Sequence, residues 1–225
     1  REPDYKLVFF GIENPNVDFR AKDIEEKNGF TSFTVEFYGA SQRVTVPTVG
    51  IHNVYDALAA FAVGYEMRME PRKIAAGLKS FVPSGMRQRI KKVGGITVIE
   101  DCYNASPDSQ KAALDVLSSF KSNRRIAVLG DMLELGKYSD VSHENVGKYT
   151  ENKNIDILFT YGAKAKHIAE GAKGFVDEIK SFDDKTELAK ALLETLKDGD
   201  AVLFKASRGM KLEDVINSLY REWEE

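Results

Sequence analysis

What most constrains this chain is the regular exchange of short β-branched runs for amphipathic helices after about residue 95. The run 96–100 reads as a strand, and Ser106-Pro107 then reads as a helix start, with Ser capping and Pro just inside. Ala113, Leu117 and Phe120 mark that helix's apolar face. The same unit recurs with strands at 125–129, 156–161 and 200–205. Helices are predicted at about 142–150, from about 164, after a cap at Asp183 or Asp184, and at 211–220. Repeated strand–helix units specify an α/β fold with a mainly parallel sheet and helices on both faces. In such sheets ligands bind beyond the carboxyl ends of the strands. The segments to watch are therefore 101–106, 131–136, Gly162 and 206–209.

The first 49 residues carry a different pattern. Residues 6–12 form a short apolar run, and Phe33, Val35 and Phe37 alternate with polar neighbours. Gly39-Ala40-Ser41 signals a turn and Val44 and Val46 resume the alternation, which together predict an antiparallel hairpin. A helix follows from about Asn53, with Val54, Leu58, Phe61 and Tyr65 at helical spacing. A second, short helix opens at Pro71 and runs to about Phe81. Pro83-Ser84-Gly85 reads as a sharp turn or linker, which sets domains of 1–84 and 85–225.

Composition narrows the function classes. With 43% hydrophobic and 30% charged residues the chain has an ordinary globular profile. No apolar run approaches the roughly 18 residues that a membrane helix needs. A net charge of −3 gives no electrostatic reason to expect nucleic acid. The single cysteine, Cys102, leaves no disulfide framework and no cysteine-rich zinc site, and fits a cytoplasmic location. The charged opening at 1–4 does not read as a secretory leader.

Three constellations carry chemistry. Asp101, Tyr103, Asn104 and Ser106 gather a carboxylate, a phenol, an amide and a hydroxyl just ahead of a helix N-terminus, where anions are favoured. Asp131 and Glu134 stand between Gly130 and Gly136. Lys205, Ser207 and Arg208 follow the last strand and suit a phosphate or carboxylate. Each alone also reads as a capped or solvated loop. Together they place acids and bases at one sheet edge, a site for a zwitterionic or phosphorylated ligand. His52 and Asn53 open a helix, a place where a cap or a packed side chain is the simpler reading. Arg87 and Arg89 flank the junction, where an arginine can stack on a planar ring, a surface ion pair being the simpler reading. His143 and His167 have no metal-ligand spacing. The sequence contains no G-x-x-x-x-G-K-[ST], no G-x-G-x-x-G and no G-x-S-x-G.

The stretches GIHNVYDALAAFAVG at 50–64, SGMRQR at 84–89, IEDCYNASPDS at 99–109, LGDMLELG at 129–136 with His143, and KASRGM at 205–210 occur in the order found in Mur ligases. With FGIEN at 10–14, the whole chain resembles that family of peptidoglycan synthesis, and within it the MurF-like branch. The resemblance implies part of a central ATPase domain over 1–84 and a Rossmann-like C-terminal domain over 85–225. It also implies that an N-terminal domain and the P-loop segment of the central domain lie outside this sequence, in keeping with an opening at Arg1 rather than Met. The reaction implied is ATP-dependent amide formation, with Mg²⁺, joining D-Ala-D-Ala to UDP-N-acetylmuramoyl-tripeptide. A chain lacking the phosphate loop is expected to be inactive alone and to hold no tightly bound cofactor.

Residue by residue, the resemblance implies nucleotide contacts from Asn53, Asp56, Arg87, Asp101 and Asn104. Arg87 would pack on adenine and Asp101 would bond the ribose hydroxyls. Asp56 stands where the family carries Asn and has no amide hydrogen to donate to adenine. Tyr103, Asp131, Glu134, Lys205, Ser207 and Arg208 would face D-Ala-D-Ala or the phosphates. Ala206 stands where Gly is common. No catalytic residue and no metal ligand is assigned within this sequence. Two alternatives remain: a nucleotide- or small-molecule-binding α/β module without a ligase role, and an interaction domain for other cell-wall enzymes, for which no exposed apolar stripe argues.

Overall fold

The structure is a computed structural model that describes residues 5–27, 29–83 and 85–224. The charged opening at 1–4 and Ser84 of the linker lie outside the described residues. The chain divides into two compact units, Arg1–Val82 and Pro83–Glu225.

Among the described residues, unit 1 is a four-stranded sheet with two helices. Its strands are β1 (Phe10–Gly11), β2 (Phe19–Lys27), β3 (Phe30–Phe37) and β4 (Ala40–Val46), in the order β1-β2-β3-β4. β1 runs parallel to β2, and the other neighbours are antiparallel. The apolar run 6–12 contributes only two paired residues. The hairpin turn is Tyr38-Gly39, one residue earlier than its glycine and serine suggest, so Ala40 and Ser41 belong to β4. Both turn residues have positive φ, 44° and 78°, as a two-residue turn with the right twist requires. Alternate residues Phe33, Val35 and Phe37 point into a core shared with α1 (Ile51–Glu66) and α2 (Pro71–Lys79). Val54, Leu58 and Phe61 bury the apolar face of α1, and Pro71 takes the first position of α2.

Unit 2 is the α/β unit. Its strands are β5 (Arg89–Val93), β6 (Ile96–Glu100), β7 (Arg125–Gly130), β8 (Ile157–Tyr161), β9 (Glu178–Phe182) and β10 (Ala201–Lys205). They form one sheet in the order β5-β6-β10-β7-β8-β9. All neighbours are parallel except β5 with β6. The helices are α3 (Pro107–Ser119), α4 (Ser139–Lys148), α5 (Lys166–Gly171), α6 (Lys185–Thr195) and α7 (Glu213–Glu224). Val98, Ile126, Val128, Phe159 and Phe204 pack under Leu188 and Leu192 of α6 and Val215, Ile216 and Leu219 of α7. The opposite face carries α3, whose Leu114 and Leu117 are fully buried. Because five strands run parallel, their carboxyl ends share one edge, and β10 sits between β6 and β7. That brings the loops after β6, β7 and β10 side by side, although they are separated by up to about a hundred residues of chain.

Local chemistry sets the helix ends. Ser106 caps α3 by accepting the Ser109 N–H, and Ser109 Oγ accepts the Ser106 N–H in return. Asp184, rather than Asp183, caps α6 by accepting from the Thr186 and Glu187 N–H groups. The last helix starts two residues later than its periodicity predicts, because Lys211 is left-handed at φ 49° and cannot join it. α4 starts three residues earlier, continuing a 3₁₀ turn at Gly136–Tyr138.

Candidate functional site

The loops at the carboxyl edge of unit 2 are joined by buried polar contacts. Lys205 ends β10 and is buried. Its Nζ donates to Asp101 Oδ2 at 2.7 Å, to the Asn104 carbonyl at 3.1 Å and to the Asp101 carbonyl at 3.5 Å. An ammonium has three donors, and all three are used here. Lys205 is therefore a clamp on the loop after β6, where its charge alone had suggested a phosphate or substrate ligand. Asp101 Oδ1 accepts the Gln88 N–H at 3.2 Å, which ties the turn before β5 to the same carboxylate. A carboxylate offers about four acceptor positions, so Asp101 keeps room for two further donors. Asn104 uses its side-chain oxygen locally, accepting the Ala105 N–H.

Arg87, next to Gln88, lies with its guanidinium 4.2 Å from the centroid of the half-exposed Tyr103 ring. Stacking on an aromatic ring, the reading set against a surface ion pair, is the one observed. Arg208 stands 5.9 Å from the same ring and pairs with Glu213 at 2.6 Å. Tyr103 is thus a planar platform with two cations beside it.

The loop after β7 is fixed at consecutive residues. The Asp131 carbonyl accepts the Ser207 N–H at 3.1 Å, the Leu133 N–H donates to Ser207 Oγ at 2.9 Å, and the Met132 N–H donates to His143 Nε2 at 2.9 Å. The Asp131 side chain is buried, and its Oδ1 accepts the Lys164 and Ala165 N–H groups at 3.0 and 2.7 Å. Asp131 and Ser207 therefore join loops to one another. Glu134 differs, being exposed and left-handed at φ 67°, at the tip of the same loop. Ala206 is fully buried against Gly130, where an added Cβ would come 2.7 Å from that of Ala206. The methyl at 206 is accommodated by a glycine across the strand pair.

His143 has more structural significance than its isolation in sequence suggests. It is fully buried, and its Nδ1 lies 2.7 Å from the Ser139 carbonyl. Burial lowers its pKa from the ordinary value. Cys102, beside the site, is buried against Met86 and its thiol is pushed up to about 12 by that burial. Asn53 and Asp56 lie in unit 1, in the first two turns of α1. Asn53 donates to the Val49 carbonyl at 2.8 Å, and Asp56 is exposed. Unit 2 brings together Arg87, Asp101, Tyr103, Asn104, Asp131, Glu134, Lys205, Ser207 and Arg208. Among the described residues no group of three or more His, Cys, Asp or Glu side chains could hold a metal ion.

A mainly parallel α/β sheet with a planar aromatic platform, cations and acids at its carboxyl edge places unit 2 in the Rossmann-like class of folds. Its sequence assigns it further. The Mur ligase, glutamate ligase domain matches residues 86–208, and the Mur ligase middle domain matches residues 1–64. The chain belongs to the Mur ligase family. The UDP-N-acetylmuramoyl-tripeptide–D-alanyl-D-alanine ligase of Bacillus subtilis (strain 168) is 39% identical over 206 residues, covering 90% of this chain and 45% of the relative. MurF from Acinetobacter baumannii superposes with a TM-score of 0.83 at 27% identity, over 94% of this chain and 46% of that one. A MurF ligase from Thermotoga maritima, solved in complex with ADP, gives 0.81 at 26% identity, over 96% and 49%. The chain spans about half the length of the curated relatives it matches.

Proposed function

We propose that this chain is the carboxyl-terminal half of an ATP-dependent ligase that joins D-Ala-D-Ala to UDP-N-acetylmuramoyl-tripeptide in the cytoplasm. The observation that carries the reading is the presence of an exposed carboxylate, Glu134, and an exposed guanidinium, Arg208, which holds Glu213 through one nitrogen, on two loops tied together through Ser207. A zwitterionic dipeptide presents an ammonium and a carboxylate, and this edge offers one partner for each. Support also comes from the relatives, which share this enzyme name over the matched length. In this reading Arg87 and Tyr103 offer a stacking surface for adenine, and the two open acceptor positions of Asp101 take the ribose hydroxyls. The chemistry is amide formation through a phosphorylated substrate carboxylate, attacked by the dipeptide amine with release of phosphate. No step of it is assigned to a metal ligand of this chain, and the phosphate-cradling loop is absent from the sequence. The contribution of unit 2 is orientation, which is a large share of the barrier in two-substrate reactions.

The test is an assay of this chain, alone and fused behind the preceding half of the Bacillus subtilis relative, with UDP-N-acetylmuramoyl-tripeptide, D-Ala-D-Ala, ATP and Mg²⁺. The fusion should release ADP only when D-Ala-D-Ala is present, and the chain alone should release none. Ligation by the chain alone would refute its assignment as half an active unit. A fold-competent fusion without ligation would favour a binding module with no ligase role.

A further inference from the structure

We propose that His143 is a positioning residue, whose neutral imidazole holds the loop carrying Asp131 and Glu134 through a single acceptor bond to the Met132 N–H. The assignment to ligation rests on the reading above, whereas the bond itself does not.

The tautomer follows from the partners. The Ser139 carbonyl can only accept, so Nδ1 carries the hydrogen. Nε2 is then a bare lone pair, and the Met132 N–H points at it from 2.9 Å. With both nitrogens engaged by backbone and the ring fully buried, the imidazole has one orientation and one tautomer. A second proton has only Nε2 to occupy, where it would face the Met132 N–H, donor against donor. Gaining that proton therefore requires the loop to move. The neighbouring fixings, Asp131 carbonyl to Ser207 N–H and Leu133 N–H to Ser207 Oγ, do not titrate. Among the main-chain bonds at Asp131, Met132 and Leu133, the one to His143 is the one that a proton can break.

The charged groups around the ring come from three elements. Asp131 lies on the loop itself, Asp140 on α4, and His167 on α5, 3.6 Å from Asp140. Lys164 pairs with Asp140 at 2.7 Å and partly neutralises it. Asp131 and Asp140 favour the proton, while His167 and burial oppose it. His143→Gln keeps an acceptor near the Nε2 position and cannot titrate. His143→Phe fills the space and offers no acceptor.

Two measurements test the proposal. Nitrogen-15 chemical shifts of the His143 ring in this chain at pH 8 should show the Nδ1–H tautomer, and the Met132 amide should shift on acidification with the midpoint of the ring. An Nε2–H tautomer, or a Met132 amide that stays still while the ring titrates, would overturn it. In the ligation assay, His143→Gln should keep kcat and lose the acid limb of kcat/KM for D-Ala-D-Ala. His143→Phe should raise KM for D-Ala-D-Ala about tenfold at every pH. An unchanged acid limb in His143→Gln, with the ring shifts as expected, would refute the role in ligation and leave the bond standing.

Discussion

Replacing Lys205 with Met removes the ammonium that joins β10 to the loop after β6 while keeping most of the side-chain volume. The side chain of Lys205 is 3% exposed and that of Asp101 is 20% exposed. Removing one partner of a buried ion pair costs about 3–5 kcal/mol, because the other charge is left without compensation. Asp101 retains some contact with water and the Gln88 N–H, so the lower figure, about 3 kcal/mol, applies. With a urea m-value of about 2 kcal/mol per M for a unit of this size, the midpoint should fall by about 1.5 M. Trp223, the single tryptophan, packs against the core of unit 2 and reports its unfolding by fluorescence. Asp101→Asn should cost a similar amount, since it strands a buried ammonium. The double variant should cost little more than either single one, a coupling of about 2 kcal/mol or more. If the single effects instead add to within about 0.5 kcal/mol, the two groups do not act as a pair and the clamp is refuted.

Three further outcomes are expected. Gly162→Ala should destabilise unit 2 by about 2–4 kcal/mol in the same assay, because φ is 111° and the new Cβ would meet Asp131 Oδ1 at 2.5 Å; a change near zero would show that the loop can move aside. The pKa of His143 is lower folded than unfolded, so its contribution is present above its ordinary value of 6.5 and is lost as pH falls from there through the folded pKa. The urea midpoint should therefore drop on that descent, and His143→Gln should flatten the drop; an equally steep profile in the variant would assign it to other groups. Cys102 should react with a thiol reagent at pH 8 only as fast as unit 2 opens, since it is buried and its thiol is pushed up to about 12. Labelling of the native chain at the rate of a free thiol would contradict this.

The parallel strands of unit 2 were legible because they are buried on both faces and read as β-branched runs. The edge strands were not. β5 has the sequence RIKKV and β9 EIKSF, and both are largely polar, as edges that must not pair with other chains usually are. β2 was hidden by its exposed half, FRAKDIEEK, and by a register shift near Asp23, whose φ of 51° interrupts the alternation. At the site, the loops and their residue types could be read from the rule that ligands gather at strand carboxyl ends. What each side chain does there could not. Lys205 and Asp101 are 104 residues apart, and only the placement of β10 beside β6 makes them a pair. His143 has no motif spacing because its partners are backbone groups, which any sequence supplies. Of the residues expected at the ligand, Lys205, Ser207 and Asp131 hold the loops, while Asp56, Arg87, Tyr103, Asn104, Glu134 and Arg208 are exposed.

The central claim is that the carboxyl edge of unit 2 receives the acceptor dipeptide. Titrating D-Ala-D-Ala into the nitrogen-15-labelled chain tests it directly. The account predicts saturable shifts of the Leu133, Glu134 and Arg208 amides, weakened by Glu134→Gln and by Arg208→Ala. A titration that moves none of these amides, or moves only residues of unit 1, would contradict it.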